Sequence, residues 1–113
     1  MAARRVIAVV DGRTICDELI VADRFWSRLV GLQFRRSLAT GQGLLLTPCS
    51  SIHTCFMRFA IDLIWLDETQ QVVELSPNIA PWRFVIPTRS ARAVLELPAG
   101  SSLPAVGEQL AVV

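Results

Sequence analysis

Phe56-Met57-Arg58-Phe59-Ala60-Ile61-Asp62-Leu63-Ile64-Trp65-Leu66 is almost unbroken apolar sequence, interrupted only by Arg58 and Asp62. A half-buried strand alternates apolar and polar side chains, whereas a strand apolar at successive positions is covered on both faces. This run therefore reads as a central strand. It stops at Asp67-Glu68-Thr69-Gln70 and resumes over residues 71–75, which is the pattern of a hairpin.

Working outward, residues 5–10 form a β-branched apolar run that meets Asp11-Gly12, a strong hairpin turn signal, and residues 14–21 resume as a strand. Asp23 is placed to cap a helix over residues 24–32, with Phe25, Leu29 and Leu32 at helical spacing and Gly31 near its end. Residues 35–43 read as a loop, 44–46 as a short buried strand and 49–54 as irregular polar chain. Residues 76–87 contain Pro77, Pro81 and Pro87, the composition of a loop or an edge segment. Residues 91–97 alternate Ala93, Leu95 and Leu97 against Arg92, Val94 and Glu96, and Pro98-Ala99-Gly100 stops that strand. Residues 101–107 read as a turn and 109–113 as a last strand. The expectation is a single α+β domain over 1–113. Its sheet is mainly antiparallel and can curl toward a barrel, and it carries one principal helix.

The chain has 113 residues, 52% hydrophobic and 19% charged, with a formal net charge of +1. That composition predicts a packed core and argues against a general polyanion-binding role, so no nucleic-acid partner is expected. All eleven basic residues are arginine, which removes lysine Schiff-base chemistry. The apolar run after Met1 is too short for a secretory leader, and nothing approaches the roughly 20 apolar residues of a membrane helix. Three cysteines are an odd number, and free thiols in a reduced cytoplasmic setting are the default expectation.

The chemistry concentrates in residues 48–62, which hold His53 (the sole histidine), Cys49, Cys55, Arg58 and Asp62. Polar groups packed among large apolar ones must be satisfied by one another, by water or by a ligand. Cys49, His53 and Cys55 make a Cys-x3-His-x-Cys pattern that zinc accepts. The paired Cys-x2-Cys spacing of structural zinc is absent, and no metal or cofactor is expected. The same residues could instead form a thiolate–imidazolium pair, with Asp62 orienting the ring. In an extended strand Arg58 and Asp62 lie about 13 Å apart, too far for contact. Arg58 is therefore expected to meet another carboxylate such as Glu96, and Asp62 to meet Arg83 or backbone donors. Trp82-Arg83, in a proline-flanked loop, is a recognition candidate for a small anionic or carbohydrate-like ligand or a protein partner.

The order of Arg28-Leu29-Val30-Gly31-Leu32, Gly43-Leu44-Leu45, the 48–62 block, Leu66-Asp67, Pro81-Trp82-Arg83 and Val94-Leu95-Glu96-Leu97-Pro98-Ala99-Gly100 resembles domain-of-unknown-function family 192. The resemblance spans about residues 24–110. It implies a mostly β domain around one helix and brings no activity, substrate or cofactor. Ala60 stands where proline is expected, and Glu108 where aspartate is usual.

Two functional classes stay open. One is a small binding or accessory domain whose pocket lies between residues 49–62 and the Trp82-Arg83 loop, using Cys49, His53, Cys55, Met57, Arg58, Asp62, Trp82 and Arg83. Its partner would be a small ligand or a protein. The other is a small enzyme or metal-binding protein that depends on Cys49, His53 and Cys55.

Overall fold

The computed structural model describes residues 4–22 and 38–113. The nine strands among them are β1 (Arg4–Ala8), β2 (Thr14–Ala22), β3 (Gln42–Leu46), β4 (Ile52–His53), β5 (Ile61–Leu66), β6 (Val72–Ile79), β7 (Phe84–Val85), β8 (Ala93–Pro98) and β9 (Leu110–Val112). Seven form one sheet in the order β6-β5-β8-β3-β2-β1-β9, and β4 pairs with β7 in a separate two-stranded sheet. Every pairing is antiparallel except β2 with β3. A parallel pair needs a crossover connection, and here it is the chain between Ala22 and Gln42.

This architecture corrects the α+β expectation, because the described residues are all β, with no helix among them. The helix expected over residues 24–32 lies outside the described residues. The sheet is also not a closed barrel. Its outer strands meet at one end only, through the Gln71–Gln109 bridge, with Val72 N–H donating to Glu108 O and Leu110 N–H to Gln70 O.

The sheet is covered on both faces, and the alternation of side chains along the strands sorts them into two cores. Val6, Ala8, Ile15, Cys16, Leu45, Ile64, Leu66, Val72, Leu95, Leu97 and Leu110 pack on one side. Ala22, Leu38, Leu44, Leu46, Met57, Ile61, Leu63, Trp65 and Val94 pack on the other. All six residues of β5 are buried, as an apolar strand in the sheet interior requires. The central strand expected over residues 56–66 does begin later, at Ile61, because the backbone turns at Thr54–Met57 and Phe56 takes φ +66°.

Both hairpins read from the sequence are present, with Gly12 at φ +73° in the first turn. Pro77 lies within β6, which is an outer strand of the sheet. An edge position tolerates the missing N–H of proline.

Candidate functional site

Against the second core lies a flap made by β4, β7 and the turns beside them. Ile52 pairs with Val85 and His53 with Phe84, and both Ile52 and Val85 pack inward. The flap hangs on Thr54, which is fully buried. Its hydroxyl donates to Ala80 O at 2.7 Å and accepts from Arg83 N–H at 2.8 Å. Its N–H donates to Arg83 O at 2.8 Å, and its carbonyl accepts from Trp82 N–H at 3.0 Å and Met57 N–H at 3.2 Å. One threonine side chain and its peptide groups thus join residues 54–57 to residues 80–83, and a buried hydroxyl satisfied in both directions rigidifies such a junction.

The outward side of this flap is aromatic. Trp82, Phe84 and Ile86 stand at alternate positions in the sequence and are 58%, 80% and 76% exposed. Phe56 is 52% exposed, and its ring meets that of Trp82 at 4.8 Å between centroids with 57° between the planes. The His53 and Phe84 rings lie 6.0 Å apart. Phe56 and Trp82 both hold positive φ, +66° and +65°, a region that bulky L-residues rarely adopt. Gln70 and Asn78 share that region elsewhere in the chain, but within the flap the two strained residues are the two whose rings meet.

The remaining residues singled out in the sequence divide between this flap and the core. The flap brings together His53, Cys55, Trp82 and Arg83. His53 Nδ1 accepts the Cys55 N–H at 3.3 Å. Met57 is buried in the second core, and Cys49 packs against that core with its thiol toward Ser51 O at 3.1 Å. Asp62 is buried elsewhere, accepting from Asn78 N–H at 2.8 Å and Ser101 N–H at 3.0 Å. These are the backbone donors expected for it, and they give it the structural task of joining β6 to the turn after β8.

Arg58 is exposed. The ion pairs among the described residues are those of Arg13 with Asp11 and Glu108. The pairing of Arg58 with Glu96 is therefore corrected: Glu96 is buried, and among the described residues its Oε2 has no hydrogen-bond partner. The cause lies in β8, which is covered on both faces rather than one, so the polar side of the alternation points into protein. Burial raises the Glu96 carboxyl to about 8. Among the described residues no group of three or more His, Cys, Asp or Glu side chains is placed to hold a metal.

Sequence reasoning passed over Thr54, Phe56, Phe84 and Ile86. The signal available for Phe84 and Ile86 was their spacing from Trp82 in a segment whose prolines deny it a place inside the main sheet. An open depression lined by Glu18, Leu19, Ile20 and Gln42 lies on β2 and β3 and includes no residue of the flap.

Known proteins share this fold. A crystal structure of a protein of unknown function from Novosphingobium aromaticivorans superposes with a TM-score of 0.76 at 16% identity, covering 96% of this chain and 82% of that one. A Sinorhizobium meliloti structure, described only provisionally as a transcription regulator, superposes with a TM-score of 0.78 at 22% identity, covering 96% and 91%. At such identities the likeness concerns the fold alone. In sequence, the chain is 38% identical over 98 residues to a UPF0127 protein of Pyrococcus furiosus, covering 84% of each. It is 35% identical over 99 residues to a UPF0127 protein of Pyrococcus horikoshii, covering 82% of this chain and 85% of the relative. No helix among the described residues is long and apolar enough to cross a membrane. The profile of the uncharacterised conserved family DUF192 matches residues 6–105, and the chain belongs to that family.

Proposed function

We propose that this domain is a partner-binding module whose contact surface is the outward side of the β4–β7 flap. One observation carries the reading: Phe56 and Trp82 touch at 4.8 Å while both are more than half exposed and both hold positive φ. A non-glycine residue in that region costs about 1–3 kcal/mol and persists only where the surroundings over-determine it, as at ligand clamps. Contiguous exposed apolar surface marks interaction sites, and tryptophan and arginine are the residues most enriched at binding hot spots. The reading keeps the two segments singled out in the sequence and replaces the enclosed hollow between them by an exposed face, since Phe84 and Ile86 are 80% and 76% exposed.

Cysteine–histidine chemistry draws less support. His53 Nδ1 is turned to the Cys55 backbone, and Cys49 Sγ to the Ser51 carbonyl.

Site-specific photo-crosslinking in the native host tests the module. A benzophenone side chain at position 84 should yield a discrete adduct that the same group at position 10, where Val10 is 79% exposed, does not. Identical adducts from both positions, or none from position 84, would refute the assignment.

A further inference from the structure

We infer that the partner held by this flap is an acidic polypeptide segment carrying at least one large apolar side chain. This rests on the flap being a partner surface and goes beyond it by naming the chemistry of what binds.

The observation is a segregation of charge. Residues 49–61 and 80–95, which hold the flap together with the first residue of β5 and the first three of β8 and are each followed at once by a buried acid (Asp62, Glu96), contain Arg58, Arg83, Arg89 and Arg92 and none of the ten acidic residues of the chain. The chain as a whole carries +1, so its other segments, with seven arginines and all ten acidic residues, are net acidic and the excess of positive charge lies here. All four arginines are exposed. Arg83 lies between Trp82 and Phe84 in sequence, and Arg58 is two residues from Phe56. The acidic group that reaches these segments is Glu74, which accepts from Thr88 Oγ1 at 2.5 Å and from Thr88 N–H at 2.9 Å, and whose carboxyl is lowered chiefly by the Thr88 hydroxyl, with Arg89 contributing. Among the described residues Arg58, Arg83 and Arg92 form no ion pair, since the pairs present belong to Arg13. An exposed apolar surface on segments whose only charges are cations is complementary to a ligand that combines an apolar side chain with anionic groups. Guanidinium forks favour carboxylates with defined geometry.

A single-stranded nucleic acid shares the negative charge but fits the apolar part less well. Base stacking wants open ring faces, whereas the Phe56 and Trp82 rings pack at 57° to each other and Ile86 offers no π-face.

The test pans a phage library of random twelve-residue peptides against the whole chain in 50 mM NaCl, then measures the best synthetic peptides by fluorescence anisotropy. Trp82→Asn serves as the principal variant, because asparagine tolerates the left-handed backbone there. Phe84→Ser, at an exposed position, serves as a second variant that the fold should accept. Arg58→Gln/Arg83→Gln reports on charge. The expected peptides are enriched in Asp and Glu around an aromatic or leucine. They should lose about tenfold or more in affinity to either aromatic variant. They should lose roughly fivefold to the arginine pair, and weaken as NaCl is raised to 300 mM. Apolar peptides without acidic enrichment that are lost in Trp82→Asn but not in the arginine pair would overturn the acidic assignment and leave the partner surface standing. Peptides indifferent to both aromatic variants, or no enrichment at all, would overturn both. An oligo(dT) 20-mer binding more tightly than the best peptide would overturn the proposal in favour of a single-stranded nucleic acid.

Discussion

Glu96 should make this protein markedly less stable in alkali, and one substitution isolates the effect. The residue sits in β8 between Leu44 of β3 and Leu63 of β5, on the same side of the strand as Val94, which belongs to the second core. Desolvation raises its carboxyl from an ordinary 4.5 to about 8, and among the described residues Oε2 has no partner that would stabilise the anion. The folded state therefore holds a proton that the unfolded chain releases over the interval between those two values. Stability is full below pH 4.5, falls as pH rises through the interval, and levels off above pH 8. At ~1.36 kcal/mol per pH unit, the interval from 4.5 to about 8 corresponds to a loss of roughly 4 to 5 kcal/mol. A domain of this size has about 5–15 kcal/mol of stability in all. Glu96→Gln has the shape of the protonated acid and cannot ionise. Urea unfolding at pH 4.5, 7 and 9 should find the variant within about 1 kcal/mol of the parent at the lowest pH. At pH 9 it should be more stable by several kcal/mol. Stability curves that run parallel across the whole range would refute the reasoning, because they would mean that Glu96 ionises in the folded protein as easily as in water.

Three further substitutions probe the other structural claims. Asp62→Ala removes the acceptor of two backbone N–H groups in a buried place and should cost about 2–4 kcal/mol in urea unfolding, with Asp62→Asn recovering part of the loss; equal costs for the two would argue against hydrogen bonding as the cause. Thr54→Val keeps the volume and removes the hydroxyl that serves Ala80 O and Arg83 N–H, so it should cost roughly 1–3 kcal/mol and speed amide exchange at Arg83, whereas unchanged exchange there would deny the hub its role. Gly43→Ala places a methyl carbon 2.8 Å from Cys16 Sγ and 2.9 Å from Leu97 Cδ2; overpacking of that kind costs about 1–3 kcal/mol, and adding Cys16→Ala should restore part of the loss, a rescue whose absence would locate the strain elsewhere.

The hairpins, the interior strand and the terminal strand were legible because each depends on local pattern. Asp11-Gly12 sets a turn, and the run at residues 61–66, apolar but for Asp62, demands cover on both faces. What the chain could not announce was which polar positions would be covered. Along residues 91–97, Glu96 looks outward by alternation, and only the two-sided cover of β8 reveals it as buried. The site was legible in part. The nearness of residues 52–56 to Trp82-Arg83 depends on the two-residue pairing of β4 with β7, far below the length at which periodicity speaks. Asp62 and Met57 were drawn to the site by sequence proximity to His53, but the place of Asp62 in β5 and the turn at Thr54–Met57 bury both away from the outer side of the flap.

The strained turns explain why this flap is aromatic on its outer side rather than folded inward. Thr54 fixes both ends of the junction: its carbonyl accepts from Met57 N–H on one side and from Trp82 N–H on the other. Phe56, inside the first of those turns, and Trp82, the donor of the second bond, both take positive φ. Asparagine or glycine would fill such positions with less strain, and an inward turn would bury two of the largest apolar side chains in the protein. The chain does neither. It carries strain of about 1–3 kcal/mol at each position and leaves both rings more than half exposed, beside arginines without carboxylate partners among the described residues. Stability alone gives no account of that arrangement, since the backbone strain costs free energy in the isolated domain and the exposed rings recover little of it by burial. A surface completed by something acidic and apolar accounts for the rings, the backbone and the charge together.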